Sequence, residues 1–195
     1  MPDLTLEALT THHVGPVDLT IAAGRCTVLH GPSGAGKSLL LRAIADLDPH
    51  EGSVRLGDTA CEAIPAPLWR SRVGLLSAES RWWYPTVGPH FPAGTIPQAQ
   101  SLGFAADVAN WEIRRLSTGE RQRLALLRLL AHQPQALLLD EPTASLDPDS
   151  VLKVEGLVAA YRAEQQAPVL WVSHDPAQMG RVGDAVVHIK GGKLL

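Results

Sequence analysis

Cysteine is nearly missing from this chain, which has two, Cys26 and Cys61, among 195 residues. Two thiols in unrelated contexts supply neither a disulfide framework nor a Cys-rich metal site, and a reducing compartment is the expectation. Long apolar runs are missing as well. Even the Leu-rich stretch from Leu124 to Ala131 is broken by Arg128, far short of the about 18 apolar residues a membrane helix needs, so no membrane span is expected. The opening MPDLTLEALT carries Asp3 and Glu7 where a secretory leader has basic residues and then an apolar block; no signal peptide is expected. Nor does one sign of charge dominate. Lys plus Arg number 17 against 20 for Asp plus Glu, a net charge of −3, which provides no global pull toward nucleic acid. What is present is a 45% apolar, 19% charged composition, suited to a folded domain with a large core, either plain or carrying a modest insert.

The order of apolar patterns indicates an α/β chain. Leu4 and Leu6, then Val17, Leu19 and Ile21, alternate as in two antiparallel strands with one wet face. Ser53 to Leu56 alternates again before the Gly57-Asp58 turn and predicts a third strand of that layer. Between them CTVLH is a short buried strand, GPSGAGKS a Gly-rich loop and SLLLRAIADL a helix. ALLLD, VLWV and AVVHI read as further strands, separated by the helical stripes Leu124, Leu127, Leu130 and Val151, Val154, Leu157, Val158, Tyr161. Short apolar strands alternating with helices predict a parallel sheet covered on both faces. Residues 80–134 differ: Pro85, Pro89, Pro92 and Pro97 alternate with glycines after the aromatic cluster Trp82, Trp83, Tyr84, and we expect a small helical insert there.

Three segments carry chemistry. The octet Gly31, Pro32, Ser33, Gly34, Ala35, Gly36, Lys37, Ser38 has the spacing of a phosphate-binding loop. Small residues let successive backbone N–H groups converge on phosphate oxygens, and the following helix adds its positive end. Lys37 is placed to reach the β and γ phosphates and Ser38 to ligate Mg2+. In LLLDE an apolar strand delivers Asp140 and Glu141 to the sheet edge where such folds bind ligands. Asp140 is the second metal candidate. Glu141 is the candidate base for an attacking water, since Pro142 argues against an ordinary helix start. In LSTGERQR, Ser117 followed by Glu120 is a capping box, so Ser117, Thr118, Gly119 and Glu120 open a helix whose first N–H groups can meet an anion. Alone, that pattern merely starts helices; its place about 20 residues before Asp140 gives it weight.

GPSGAGKS, LSTGERQR, LLLDEPTASLD and VSHD, in that order, resemble the ATP-binding cassette (ABC) ATPases over nearly the whole chain. The resemblance implies an ATPase using ATP and Mg2+, with Gly31 to Ser38 as Walker A, Asp140 as the Walker B aspartate and Glu141 as catalytic base. It further implies Ser145 to Asp147 as the D-loop, His174 as the switch histidine, and Ser117 to Glu120 as the signature that meets ATP held by a second copy in a head-to-tail dimer. A single cassette implies a separate membrane permease, with the chain cytoplasmic and peripheral on the inner membrane face. Nucleic acid is not an expected partner.

The chain also departs from the family. Where the family has a glutamine after the strand that follows Walker A, this chain has Ala78, then Glu79, which substitutes only if it faces the metal. Thr118 stands for the more frequent signature glycine and Glu120 for a glutamine. His12 and His13 replace the usual adenine-stacking aromatic residue, either as its substitutes or as solvated loop residues. Trp82, Trp83 and Tyr84 lie where transporter cassettes receive a permease helix; they either dock it or cap the insert. Two other functions fit parts of the pattern. A soluble ABC ATPase outside transport usually carries an added arm, zinc module or second cassette, and a poorly hydrolysing regulator would explain the missing glutamine but not the retained Lys37, Glu141 and His174.

Overall fold

The computed structural model describes residues 2–195, the Ala93 side chain aside. The chain opens with β1 (Leu4–Thr11) and β2 (Val14–Ile21), then β3 (Cys26–His30) and α1 (Lys37–Ile44). It continues through β4 (Glu51–Leu56), β5 (Thr59–Ala60), α2 (Ala66–Arg72) and β6 (Val73–Leu76). Beyond a run of short 3-10 turns come α3 (Thr118–Leu130), β7 (Ala136–Asp140), α4 (Pro148–Gln165), β8 (Val169–Val172), α5 (Pro176–Val182), β9 (Ala185–Lys190) and β10 (Lys193–Leu194). Four strands form an antiparallel layer in the order β2-β1-β4-β5. The other six form the core sheet in the order β10-β9-β3-β8-β7-β6, parallel except for the terminal hairpin β9-β10. Both layers are those the sequence pattern predicts. Among the described residues no helix is long and apolar enough to cross a membrane.

The alternation within each central strand sorts its side chains between two cores. In β7, Ala136 and Leu138 join the core shared with α1 and the antiparallel layer, while Leu137 and Leu139 join the one beneath α3 and α4. In β8, Leu170 and Val172 face the first core, Val169 and Trp171 the second. Continuous apolar runs are therefore a consequence of burial on both faces. Strand β1 is less regular: Ala8 has a φ of 48°, and the register with β2 slips between Leu6 and Leu9. That bulge returns Leu9 to the buried face one strand position out of phase with simple alternation.

The insert expected over residues 80–134 consists of five short 3-10 turns between β6 and α3, from Gly88–His90 to Ile113–Arg115, followed by α3 itself. Its prolines remove backbone donors at the spacing where a longer helix would need them. Val87, Phe91, Leu102, Phe104 and Val108 nonetheless bury against α3 and give the segment its own small core. Helix α3, the one α-helix of residues 80–134, packs on β6 and places Leu124 and Leu127 in the core beneath the sheet.

Leu138 is fully buried in the middle of β7. Leu138→Ala should lower unfolding free energy by about 2–5 kcal/mol, read as a lower denaturant midpoint at unchanged slope.

Candidate functional site

Sheet order determines what meets at the site. Strands β3, β8 and β7 are adjacent and parallel, so the loops at their carboxyl ends, 31–38, 173–175 and 140–147, emerge side by side. The first turns from β3 into α1 through Gly34 (φ 76°) and Gly36 (φ 100°). A Cβ on Gly36 would collide with Val14, whereas Gly34 faces open space and is needed for its backbone conformation alone. Pro32, Ser33 and Gly34 are exposed at the crest, with Ala35 and Gly36 buried below. Lys37 is 7% exposed and folds back over the loop, its Nζ donating to the carbonyls of Gly31 and Pro32 at 2.9 Å each. The ammonium is thus held at the mouth of the loop with its donors on weak neutral acceptors, ready to exchange them for an anion.

Asp140 ends β7 beneath this loop and is buried. Burial pushes its carboxyl above the ordinary range and Glu141 adds to that, while the Ser38 hydroxyl and the Lys37 charge pull it back. A buried carboxylate held near a hydroxyl, with the adjacent ammonium committed to carbonyls, is an oxygen donor set of the kind that suits Mg2+. Glu141 turns the chain out of the strand with φ 47°, a left-handed conformation that costs a non-glycine residue about 1–2 kcal/mol. Its Oε1 lies 2.9 Å from His174 Nε2 at the end of β8. The His174 ring is in turn edge-on to His30, 6.0 Å between centroids, and His30 stacks on His188 at 5.4 Å.

Several contributors were not legible in the sequence. His188 is brought beside His30 by the parallel pairing of β9 with β3, and His30 beside His174 by that of β3 with β8. Gln178, 3% exposed, donates to Glu155 at 2.9 Å and accepts from Ser173 at 2.8 Å, and it also bonds Thr143. Arg181 closes this network on Glu155 with two bonds of 2.7 and 2.8 Å. The loops carrying Glu141 and His174 are therefore tied from behind by one buried amide. The only advance signal was a polar residue on a short helix following VSHD.

The signature segment lies at the surface. Ser117 and Glu120 complete both halves of the capping box, with Glu120 N donating to Ser117 Oγ at 3.2 Å and Ser117 N to Glu120 Oε2 at 2.8 Å. Thr118 is exposed, and a Cβ on Gly119 would come within 2.9 Å of the Ser145 carbonyl. The helix start therefore leans on the loop after Glu141. Ala78 and Glu79 are exposed beyond β6, and buried Gln122 of α3 donates to Ser77 O at 3.1 Å. His13 lies beside Gly36, its Nε2 3.6 Å from where a Cβ would sit, whereas His12 turns toward Asp48 at 4.0 Å.

The aromatic cluster is built around His90. This ring is 6% exposed; its Nε2 accepts from the backbone N–H groups of Trp83 and Tyr84 at 3.0 Å, and Nδ1 lies 3.0 Å from Thr86 O. Arg128 of α3 stacks over Trp82 and Trp83, 4.5 and 4.9 Å from their ring centres. Trp82 is half-buried, but Trp83 and Tyr84 remain 64% and 47% exposed. They stand beside a groove of about 410 Å³ walled by Arg42, Glu79, Trp83, Arg128 and His132.

Residues 14–144 match the family described as ABC transporter, two thirds of the chain. The chain belongs to the ABC transporter family. As an ABC ATP-binding subunit it is 34% identical over 192 residues to Protein STAR1 of Oryza sativa subsp. japonica, covering 92% of this chain and 56% of that protein. It is 32% identical over 186 residues to the tungstate uptake system ATP-binding protein TupC of Peptoclostridium acidaminophilum, covering 90% and 86%. Its fold matches a bacterial Atm1-family ABC exporter solved with ATP bound, with a TM-score of 0.85 and 20% identity over all of this chain and 38% of that one. The ABC fold expected from the four ordered motifs is thereby established.

Burial, reinforced by the Arg128 charge, lowers the His90 pKa, although the Val87 and Thr86 carbonyls oppose the change. Its folded-state value lies below the unfolded one. This ring therefore costs no stability above the unfolded pKa of about 6.5, and stability is lost as pH falls from there through the folded value. A protonated Nε2 also cannot accept the two backbone N–H groups. Acidification below about pH 6.5 should change the fluorescence of Trp82 and Trp83, and His90→Gln should remove that transition.

Proposed function

We propose that this chain binds ATP and Mg2+ and hydrolyses ATP to energise a separate membrane permease, working as a head-to-tail dimer peripheral to the cytoplasmic face of the membrane. The observation that carries the reading is the 2.9 Å contact between Glu141 and His174 at the loop edge shared with Lys37 and Asp140. In this reading the backbone N–H groups of residues 33–38 and the Lys37 ammonium hold the β and γ phosphates. Ser38 and Asp140 hold Mg2+, whose charge offsets that of the phosphates. Glu141 accepts the proton of the attacking water, while His174 orients Glu141 and meets charge developing on the γ-phosphate. Ser117, Thr118, Gly119 and Glu120 cap ATP held by the partner copy, and the exposure of Ser117 and Thr118 leaves this edge free to do so. Residues 80–134 act as the subdomain that carries this signature. The names of curated relatives such as the tungstate uptake protein favour import as the direction.

Glu141→Gln keeps shape and removes the base, so turnover should fall about 100-fold or more with ATP binding retained. Lys37→Ala should weaken binding itself, and His174→Ala should lower turnover more than binding. Wild-type hydrolysis in both Glu141→Gln and Lys37→Ala would reject the assignment. Light scattering of the Glu141→Gln protein should show monomers without nucleotide and dimers with ATP; an unchanged mass would reject the head-to-tail arrangement.

The groove beside Trp83 and Tyr84 is the proposed permease contact. Replacing Trp82 and Trp83 with alanine should spare basal hydrolysis and weaken permease capture at least about tenfold. A large drop in melting temperature, or unchanged capture, would assign the pair to packing instead.

A further inference from the structure

At the far end of α1 from Lys37, three donors of different chemistry converge away from the nucleotide site. Asp46 follows the helix, His50 precedes β4, and Cys61 opens the short turn that leads to α2. One ligand atom from each lies within 4.8 Å of the other two. Tetrahedral zinc with bonds of about 2.0–2.3 Å places its ligand atoms about 3.3–3.8 Å apart, so modest side-chain rotation closes the set. Cys61 is 4% exposed, whereas Asp46 and His50 are half-buried and leave a route from solvent.

The three groups are also unusually free. His50 Nδ1 is buried with no hydrogen-bond partner. The nearby Asp48 is committed to Arg42 through bonds of 2.6 and 2.7 Å, but among the described residues the Asp46 carboxylate has neither an ion-pair nor a hydrogen-bond partner. Asp46 adopts φ 54° where a helix commonly ends on glycine, a conformation Asp tolerates better than most residues. Buried polar groups without partners are rare enough to require an occupant or a function.

We propose that Asp46, His50 and Cys61 form a zinc site, with the fourth position open to water. A carboxylate, an imidazole and a thiolate are the ligands of a borderline-soft dication, whereas an Mg2+ site would be all oxygen. Without metal the thiol stays protonated, because burial, reinforced by Asp46 and Glu62 and only partly opposed by Arg70, pushes it up to about 12. The negative charges of Asp46 and Glu62 that disfavour the thiolate favour a cation. On binding, the S–H bond breaks, its proton passes to solvent, and a zinc–sulfur bond forms. The bound ion would join the end of α1 to the segments entering β4 and α2. It reinforces a junction already made where Trp69 Nε1 donates to Ile44 O at 2.9 Å. This site does not depend on the ATPase reading.

The test uses the full chain, freed of metal and kept without nucleotide, in excess Mg2+ so that Ser38 and Asp140 are not probed. Titration with Co2+ should give one equivalent of binding with a thiolate-to-cobalt charge-transfer band, and Zn2+ should displace it and raise the melting temperature. Cys61→Ser should abolish the band, and Cys26→Ser should retain it. Asp46→Asn and His50→Ala should each weaken Zn2+ binding about tenfold or more. Melting curves without metal report whether each variant folds. If Cys61→Ser does not fold, loss of the band in folded His50→Ala supports the site. A wild-type protein without the band, a band that survives Cys61→Ser, or Zn2+ affinity unchanged in both Asp46→Asn and His50→Ala would overturn it.

Discussion

The strands β3, β7 and β8 are buried on both faces, and this constraint governs the rest of the molecule. Alternating side chains of β7 and β8 belong to two separate cores, so sliding either strand by one residue would exchange Leu138 for Leu139 or Leu170 for Trp171 across the sheet. Register is therefore held from both sides. The loops at the carboxyl ends of these strands inherit that rigidity. Lys37, Asp140, Glu141 and His174 come from three sequence segments, and the proposed mechanism needs a common, immobile edge for them to act together.

Stability and function pull against each other at this edge. Asp140 is buried where an apolar residue would be more stable, and Glu141 is held in a left-handed conformation. Such costs persist only where surrounding structure over-determines them. Here the surroundings are the two cores and the amide of Gln178, which ties Thr143 to Ser173 and leans on the Glu155–Arg181 pair. Arg128 has a comparable place in the insert: it lies over Trp82 and Trp83 and donates to Arg81 O at 3.0 Å, linking α3 to the exposed aromatic segment. Movement of that segment would be transmitted to α3, whose start carries Ser117, Thr118, Gly119 and Glu120.

The sequence by itself determined the sheet architecture and which residue types stand at the proposed site. Periodicity separates the half-wet strands of the antiparallel layer from the fully apolar strands of the core, and local spacing specifies the phosphate loop, the capping box and the acidic strand end. These features are short-range, so neighbouring residues encode them. Only the tertiary structure decided which distant groups meet. His30 reaches His174 and His188 reaches His30 through strand pairing, Gln178 joins two loops, and His90 is buried under its own aromatic cluster. The gathering of Asp46, His50 and Cys61 at the end of α1 is likewise a property of packing. The three lie outside any one helix or strand of the core, because contacts between elements are set by how two cores close around one sheet.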